Sequence, residues 1–224
     1  MLQHHWFPTP AFSRLYSNKM TLIHDIKSNI SNIPYHALRP WLVIMVLMTA
    51  LQSLPADWQV LLRFDRDALA AGETWRLLSA NFIHLGWNHL LLNVAGFLLI
   101  GWLFADQVSP AVWLLVLLAC CLSASLGLYW WTPDVYWVVG MSGALHGLFV
   151  FGVCVWIGQG DRLAWGLLAG VTAKLLWEQS IGAMPFSEGV VGGKVVTDAH
   201  LWGALGGLAT GVAYSLWYRF RARL

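Results

Sequence analysis

Val138 to Gly152 reads VVGMSGALHGLFVFG, and the fold turns on how this run is read. It is apolar almost throughout. One hydroxyl, Ser142, sits between Gly140 and Gly143, and a histidine, His146, follows four residues later. An apolar helix carrying Ser and His near its start is either a packing seam or a buried catalytic site, and the rest of the chain has to choose between them.

The chain has 224 residues, of which 58% are hydrophobic and 11% charged. Soluble domains run at roughly 45–50% and about 25%. Mean hydropathy is +0.61. These values place the chain among membrane proteins before any segment is read. The 15 tryptophans suit interfacial belts. A net charge of +2 is too small to suggest nucleic acid as a partner. Cys120, Cys121 and Cys154 lie inside apolar runs without metal-ligand spacing and read as small core residues. No cofactor or metal motif is present.

Working outward, six spans are predicted: Trp41 to Leu54, Phe82 to Phe104, Pro110 to Trp130, Val138 to Ile157, Leu163 to Ala183 and Ala199 to Tyr218. The first run is short, so its helix is expected to begin before Trp41. Residues 55–79 mix charges with Trp58, Leu61, Leu62 and Trp75 in clusters too short to cross, and predict short interfacial helices. Met184 to Asp198 contains Gly189, Gly192 and Gly193 and is expected to move. Residues 1–38 read as a partly disordered cytoplasmic tail, 39–218 as the transmembrane domain, and 219–224 as a basic cytoplasmic tail.

Arg14, Lys19, Lys27 and Arg39 at one end, and Arg219, Arg221 and Arg223 at the other, put both termini in the cytoplasm by the positive-inside rule. Spans two, four and six then run from outside to inside. His84, His89, Asn93, Ser142, His146 and His200 all fall in their outer halves, with Ser142 roughly 6–8 Å below the helix end at about 1.5 Å per residue. Polar groups at membrane depth are costly and usually face a bundle interior or a water-filled cavity. Each alone could simply hold helices together. At one shared depth, in three spans, they predict a site.

Serine is a weak nucleophile unless a base takes its proton. Ser142 is the candidate nucleophile and His200 the candidate base. Gly143, Gly203, Gly206 and Gly207 allow their helices to approach. His89 and Asn93 share a face at i and i+4 and can donate, with the Ser142 backbone N–H, to a developing oxyanion. No acidic third member is evident, since Asp198 is two residues from His200 on another face, so a Ser–His dyad is expected. A transporter would need polar residues through the inner leaflet too, and spans two, four and six are apolar there.

Four motifs carry a family resemblance. Gly140-Met141-Ser142-Gly143 resembles the GxSG motif of rhomboid intramembrane serine proteases, and Ala199-His200-Leu201-Trp202-Gly203 resembles their AHxxG motif. His84, His89 and Asn93 match HxxxxHxxxN in their second span, and Trp75-Arg76 looks like the WR pair of their first outer loop. The resemblance implies an all-α, six-transmembrane-helix rhomboid bundle in a bacterial inner membrane, opening toward the periplasm through a gate at the outer loop and the fifth-to-sixth connection. It implies Ser142 and His200 as catalytic residues and His89 and Asn93 as the oxyanion hole. Gly140, Gly143, His84 and His146 would support them, with neither metal nor cofactor.

Rhomboids usually carry Tyr four residues after the serine, stacked on the histidine; here the residue is His146. It either stacks on or hydrogen-bonds His200 in place of the tyrosine, or is a core residue bonded to a backbone carbonyl. SGALHG, Trp177-Glu178-Gln179 and DAHLWGALGG resemble the rhombosortase branch, which implies substrates ending in Gly-Gly, one transmembrane helix and a basic tail. The partners are then a membrane-anchored protein and the lipid bilayer. A general rhomboid protease and a non-cleaving helix binder are the alternatives; the acyl-serine could pass to water or to an amine. Lys174 and Glu178, at i and i+4, are expected to pair, and Glu178 could also line a substrate entrance. Trp75-Arg76 is expected to anchor the outer loop at the headgroups.

Overall fold

The computed structural model describes residues 35–221. The predicted disordered tail up to residue 34, and the last three residues of the basic tail, lie outside this range.

The described chain folds as α1 (Tyr35–Gln52), α2 (Ala56–Leu62), β1 (Phe64–Asp65), α3 (Arg66–Ala70), α4 (Arg76–Ser79), a 3-10 turn (Ala80–Phe82), α5 (Trp87–Phe104) and α6 (Pro110–Trp131). It continues through β2 (Trp137–Val138), α7 (Ser142–Gln159), α8 (Leu163–Ser180), α9 (Ser187–Val191) and α10 (Thr197–Arg221). Six of these are long, and they coincide with the six predicted spans. The chain is an all-α membrane bundle. α5, α6 and α7 are long and apolar enough to cross a bilayer on composition alone, and α1 contributes a shorter apolar run, Arg39–Gln52. α8 and α10 are less apolar because Lys174, Glu178, Asp198 and His200 lie on them.

Two boundaries correct the sequence reading. α5 begins at Trp87, so His84 sits in the connection before it rather than inside the span. α7 begins at Ser142 itself, because Trp137–Val138 is extended and pairs antiparallel with Phe64–Asp65. Ser142 is therefore at the helix end, not several ångströms down it. The short interfacial helices expected in 55–79 are present as α2, α3 and α4.

The core is aromatic at its centre. Trp41 of α1 packs on Phe97 of α5 and Trp113 of α6, with ring centroids 4.4 and 5.3 Å apart, and Trp113 meets Phe151 of α7 at 5.2 Å. Edge-on packing of this kind lets large rings fill space between helices without voids. Around it, Leu42, Val43, Val46, Leu91, Leu115 and Leu176 stay exposed, as lipid-facing side chains do. All three cysteines are buried and free, as expected.

α7 and α10 make the tightest seam. A Cβ on Gly203 would collide with the Gly143 carbonyl, and one on Gly207 with that of Gly147. Small residues are what allow membrane helices to touch backbone to backbone. The Ser123 hydroxyl of α6 closes the third side by donating to the Trp202 carbonyl at 2.7 Å.

Arg76 corrects a second expectation. It is 5% exposed and does not reach the headgroups. Its guanidinium donates to the carbonyls of Val60 and Arg63 at 2.8 and 2.9 Å and pairs with Glu73, so it pins the 55–79 segment from within. Trp75 does remain exposed, with its indole N–H on the Leu61 carbonyl at 3.3 Å.

Candidate active site

The site starts from a bend. Gly140 has φ +114°, a conformation L side chains rarely adopt, and its N–H donates to the Ala80 carbonyl at 2.9 Å. A Cβ there would also stand 2.5 Å from the His89 ring. The bend turns β2 into α7, leaving Ser142 as the first helical residue. Its backbone N–H has no intrahelical acceptor, as at any helix start.

The Gly-rich seam then brings α10 alongside. His200, 5% exposed, places Nε2 at 2.9 Å from Ser142 Oγ. Sequence reasoning anticipated this pair. It did not anticipate the other side of the ring. His200 Nδ1 lies 2.9 Å from Glu178 Oε2, so the expectation of no acidic neighbour is overturned. Glu178, 4% exposed, also forms the predicted pair with Lys174, through Oε1 at 2.6 Å. The helical spacing showed one carboxylate oxygen; the second was hidden because it depends on how α8 leans on α10.

His146 realises both readings at once. Its ring stacks on His200, centroids 4.2 Å apart and planes 19° apart. Its Nδ1 lies 2.7 Å from the Ser142 carbonyl, and its Nε2 lies 2.9 Å from Lys174 Nζ. These contacts assign the tautomers, since a carbonyl can only accept and an ammonium can only donate. His146 donates from Nδ1 and accepts at Nε2. His200, donating from Nδ1 to the carboxylate, keeps a lone pair at Nε2 for the serine proton.

On α5, His89 Nδ1 accepts from the Leu85 N–H at 3.4 Å, which leaves Nε2–H as the donor. Asn93 donates one amide hydrogen to the His89 carbonyl at 2.9 Å and keeps the other; its Oδ1 is buried without a partner among the described residues. Both residues border the same cavity as Ser142. His84 stands one step back, edge-on to His89 at 5.0 Å, with both ring nitrogens buried and unpartnered among the described residues.

The cavity measures about 1070 Å³. Ser142, His200 and Glu178 line one end. Leu92, Leu99 and Phe149 line an apolar arm with Leu167 and Val171 of α8, and part of the Met184–Val196 connection also lines the cavity. His146, Glu178 and His200 also present ligand atoms within 4.8 Å of one another, a spacing that suits a metal ion. The Lys174 ammonium already engages two of these groups, an internal cation in the place a metal would take.

Residues 71–217 match the family model for the Rhomboid domain, well over half of the chain. The rhomboid-type protein YdcA of Bacillus subtilis (strain 168) is 33% identical over 112 residues, 48% of this chain and 56% of its own. Rhomboid protease GluP of the same organism is 22% identical over 177 residues, 78% of this chain and 33% of its own. The chain thus spans little more than half the length of one relative and a third of the other. With the motifs in order and their side chains gathered at one end of an apolar helical bundle, the chain belongs to the Rhomboid family.

Proposed function

We propose that this chain is an intramembrane serine endopeptidase, and the observation that carries the proposal is Ser142 Oγ at 2.9 Å from an acceptor-ready His200 Nε2, opening into a cavity with an apolar arm. Ser142 attacks the scissile carbonyl while His200 takes its proton at Nε2. The oxygen that becomes negative is met by the His89 Nε2–H, the free Asn93 amide hydrogen and the Ser142 backbone N–H. Donors fixed in advance in a low-dielectric site stabilise such charge far better than mobile water does. His200 then gives the proton to the departing amine, leaving an acyl-serine that water resolves.

The apolar arm suits a transmembrane helix lying beside the peptide to be cut. The rhombosortase-like motifs favour a substrate ending in Gly-Gly, a single span and a basic tail, and His146 in the usual tyrosine position supports that branch. The match to rhomboid proteases favours the broader reading, a protease for other single-span proteins. The site would face the periplasm of a bacterial inner membrane, with both termini in the cytoplasm. The boundaries of the transmembrane unit would be 39–218.

Co-expression with a reporter ending in Gly-Gly, an apolar helix and arginines is expected to release a shortened product. Ser142→Ala and His200→Ala should each cut the rate by about a thousandfold or more while the protein remains inserted. Undiminished processing by Ser142→Ala would sink the mechanism. Equal cleavage after replacement of the Gly-Gly pair would favour the general protease, and the mass of the product's new C-terminus fixes both the bond cut and the acceptor used.

A further inference from the structure

Following the hydrogen bonds away from Ser142 leads back to Ser142. Its hydroxyl meets His200 Nε2 at 2.9 Å, and His200 Nδ1 meets Glu178 Oε2 at 2.9 Å. Glu178 Oε1 meets Lys174 Nζ at 2.6 Å, and Lys174 Nζ meets His146 Nε2 at 2.9 Å. His146 Nδ1 returns to the carbonyl of Ser142 at 2.7 Å. Each link in this circuit joins a donor to an acceptor, with the Lys174 ammonium serving two of them, and the two histidine rings it joins lie face to face. The side chains of Glu178 and His200 are 2% and 7% exposed, so neither bond competes with bulk water.

We infer that Glu178 is a positioning residue for His200, and that Lys174 and His146 complete its support, so that the site works as a Ser142–His200–Glu178 constellation rather than as a Ser–His pair. The inference rests on the protease reading given above. Its chemistry is local. A carboxylate on Nδ1–H fixes the tautomer whose Nε2 is unprotonated, which is the only one able to receive the serine proton. When that proton moves from Ser142 Oγ to His200 Nε2, the imidazolium forms against an ionised carboxylate. When it moves on to the leaving amine, the ring returns to its starting state. Glu178 itself stays ionised throughout.

Lys174 answers the cost of this arrangement. An ionised carboxylate buried alone is expensive, whereas a paired one with its remaining oxygen bonded is tolerable. The ammonium takes that oxygen, leaving the resting ring neutral overall. It also donates to His146 Nε2, which leaves the His146 proton on Nδ1, where it is donated as a hydrogen bond to the Ser142 carbonyl. The stacked ring is thereby held at both ends, and it in turn limits rotation of His200.

The test uses the full chain, purified in detergent, with rates normalised to the monodisperse folded fraction. Glu178→Gln keeps the shape and loses the charge. Lys174→Met with Glu178→Gln removes the ion pair as a unit, leaving no uncompensated buried charge and so protecting the fold. In both, kcat on a transmembrane reporter is expected to fall by about a hundredfold with KM within about twofold of native. Labelling of Ser142 by a fluorophosphonate, which needs no substrate helix, should slow in parallel. Glu178→Asp should recover about tenfold of the loss. A kcat within about threefold of native in the double variant overturns the inference, as does a Glu178→Asp no faster than Glu178→Gln. An inactive Ser142→Ala beside a native-like double variant condemns only this inference; a fully active Ser142→Ala condemns the protease reading itself.

Discussion

Arg66 shows how much one side chain can do outside the site. Its guanidinium donates to the carbonyls of Leu128, Tyr129, Thr132 and Val135 at 2.7 to 3.1 Å. Leu128 and Tyr129 are in the last turn of α6, where carbonyls run short of helical donors and the Leu128 oxygen takes only the Thr132 N–H of the cap, at 3.2 Å. The side chain thus caps a span and ties the following loop to the 55–79 segment. Lysine offers three donors on a flexible stem and cannot match this fork. Arg66→Lys is expected to cost about 2–3 kcal/mol, read as a lowered midpoint of thermal unfolding in detergent. An unchanged midpoint would mean that these bonds are replaced by water at no loss. Neither this role nor that of Glu178 was legible in the sequence. Both depend on partners 22 to 69 residues away, and a single sequence with only local spacing to read shows no such pairing. Ser142, His200, His89 and Asn93 were legible because their motifs are compact and share a depth. His146 was legible only as a choice between a contact with His200 and a bond to a backbone carbonyl, and the structure makes both, the first as stacking.

At the scale of elements, the pairing of α7 with α10 decides whether the site exists. Ser142 and His200 belong to helices that can approach only because Gly143, Gly147, Gly203 and Gly207 carry no side chain. Gly203→Ala is therefore expected to force the backbones apart, destabilising the fold by about 3 kcal/mol or more and separating nucleophile from base. Gly158→Ala on the same α7 is the control, because its new Cβ would meet the Ser215 hydroxyl at 3.5 Å, ordinary contact. Unfolding midpoints of the two variants in detergent decide the matter; equal midpoints would show that the seam is not the point of closest constraint. The existence and order of the six long helices could be read from hydropathy, and the approach of α7 and α10 from their glycines. The ends could not. Trp137–Val138 is as apolar as the helix it precedes, and only the partner strand at Phe64–Asp65 keeps it extended. That pairing moves Ser142 to the helix start, which is also what frees its backbone N–H.

Across the whole molecule, the site and the basic end of α10 lie apart. Ser142, His200, His89 and Glu178 gather where α5, α7 and α10 begin and α8 ends. Arg219 and Arg221 lie at the far end of α10. Under the orientation proposed above, the positive-inside rule would set the site toward the periplasm and the basic end of α10 toward the cytoplasm. The native cysteines make this orientation testable, because Cys120, Cys121 and Cys154 are at most 9% exposed and should give little background labelling. Phe186, 89% exposed in the connection beside the cavity mouth, reports one side; Asp161, exposed in the turn between α7 and α8, reports the other. In bacterial spheroplasts, Phe186→Cys is expected to react with a membrane-impermeant maleimide within minutes, while Asp161→Cys should react only after lysis. The reverse pattern would place the site in the cytoplasm. A site on that side could not make the proposed cut beside the outer end of an anchoring helix, so the reverse pattern would overturn that reading.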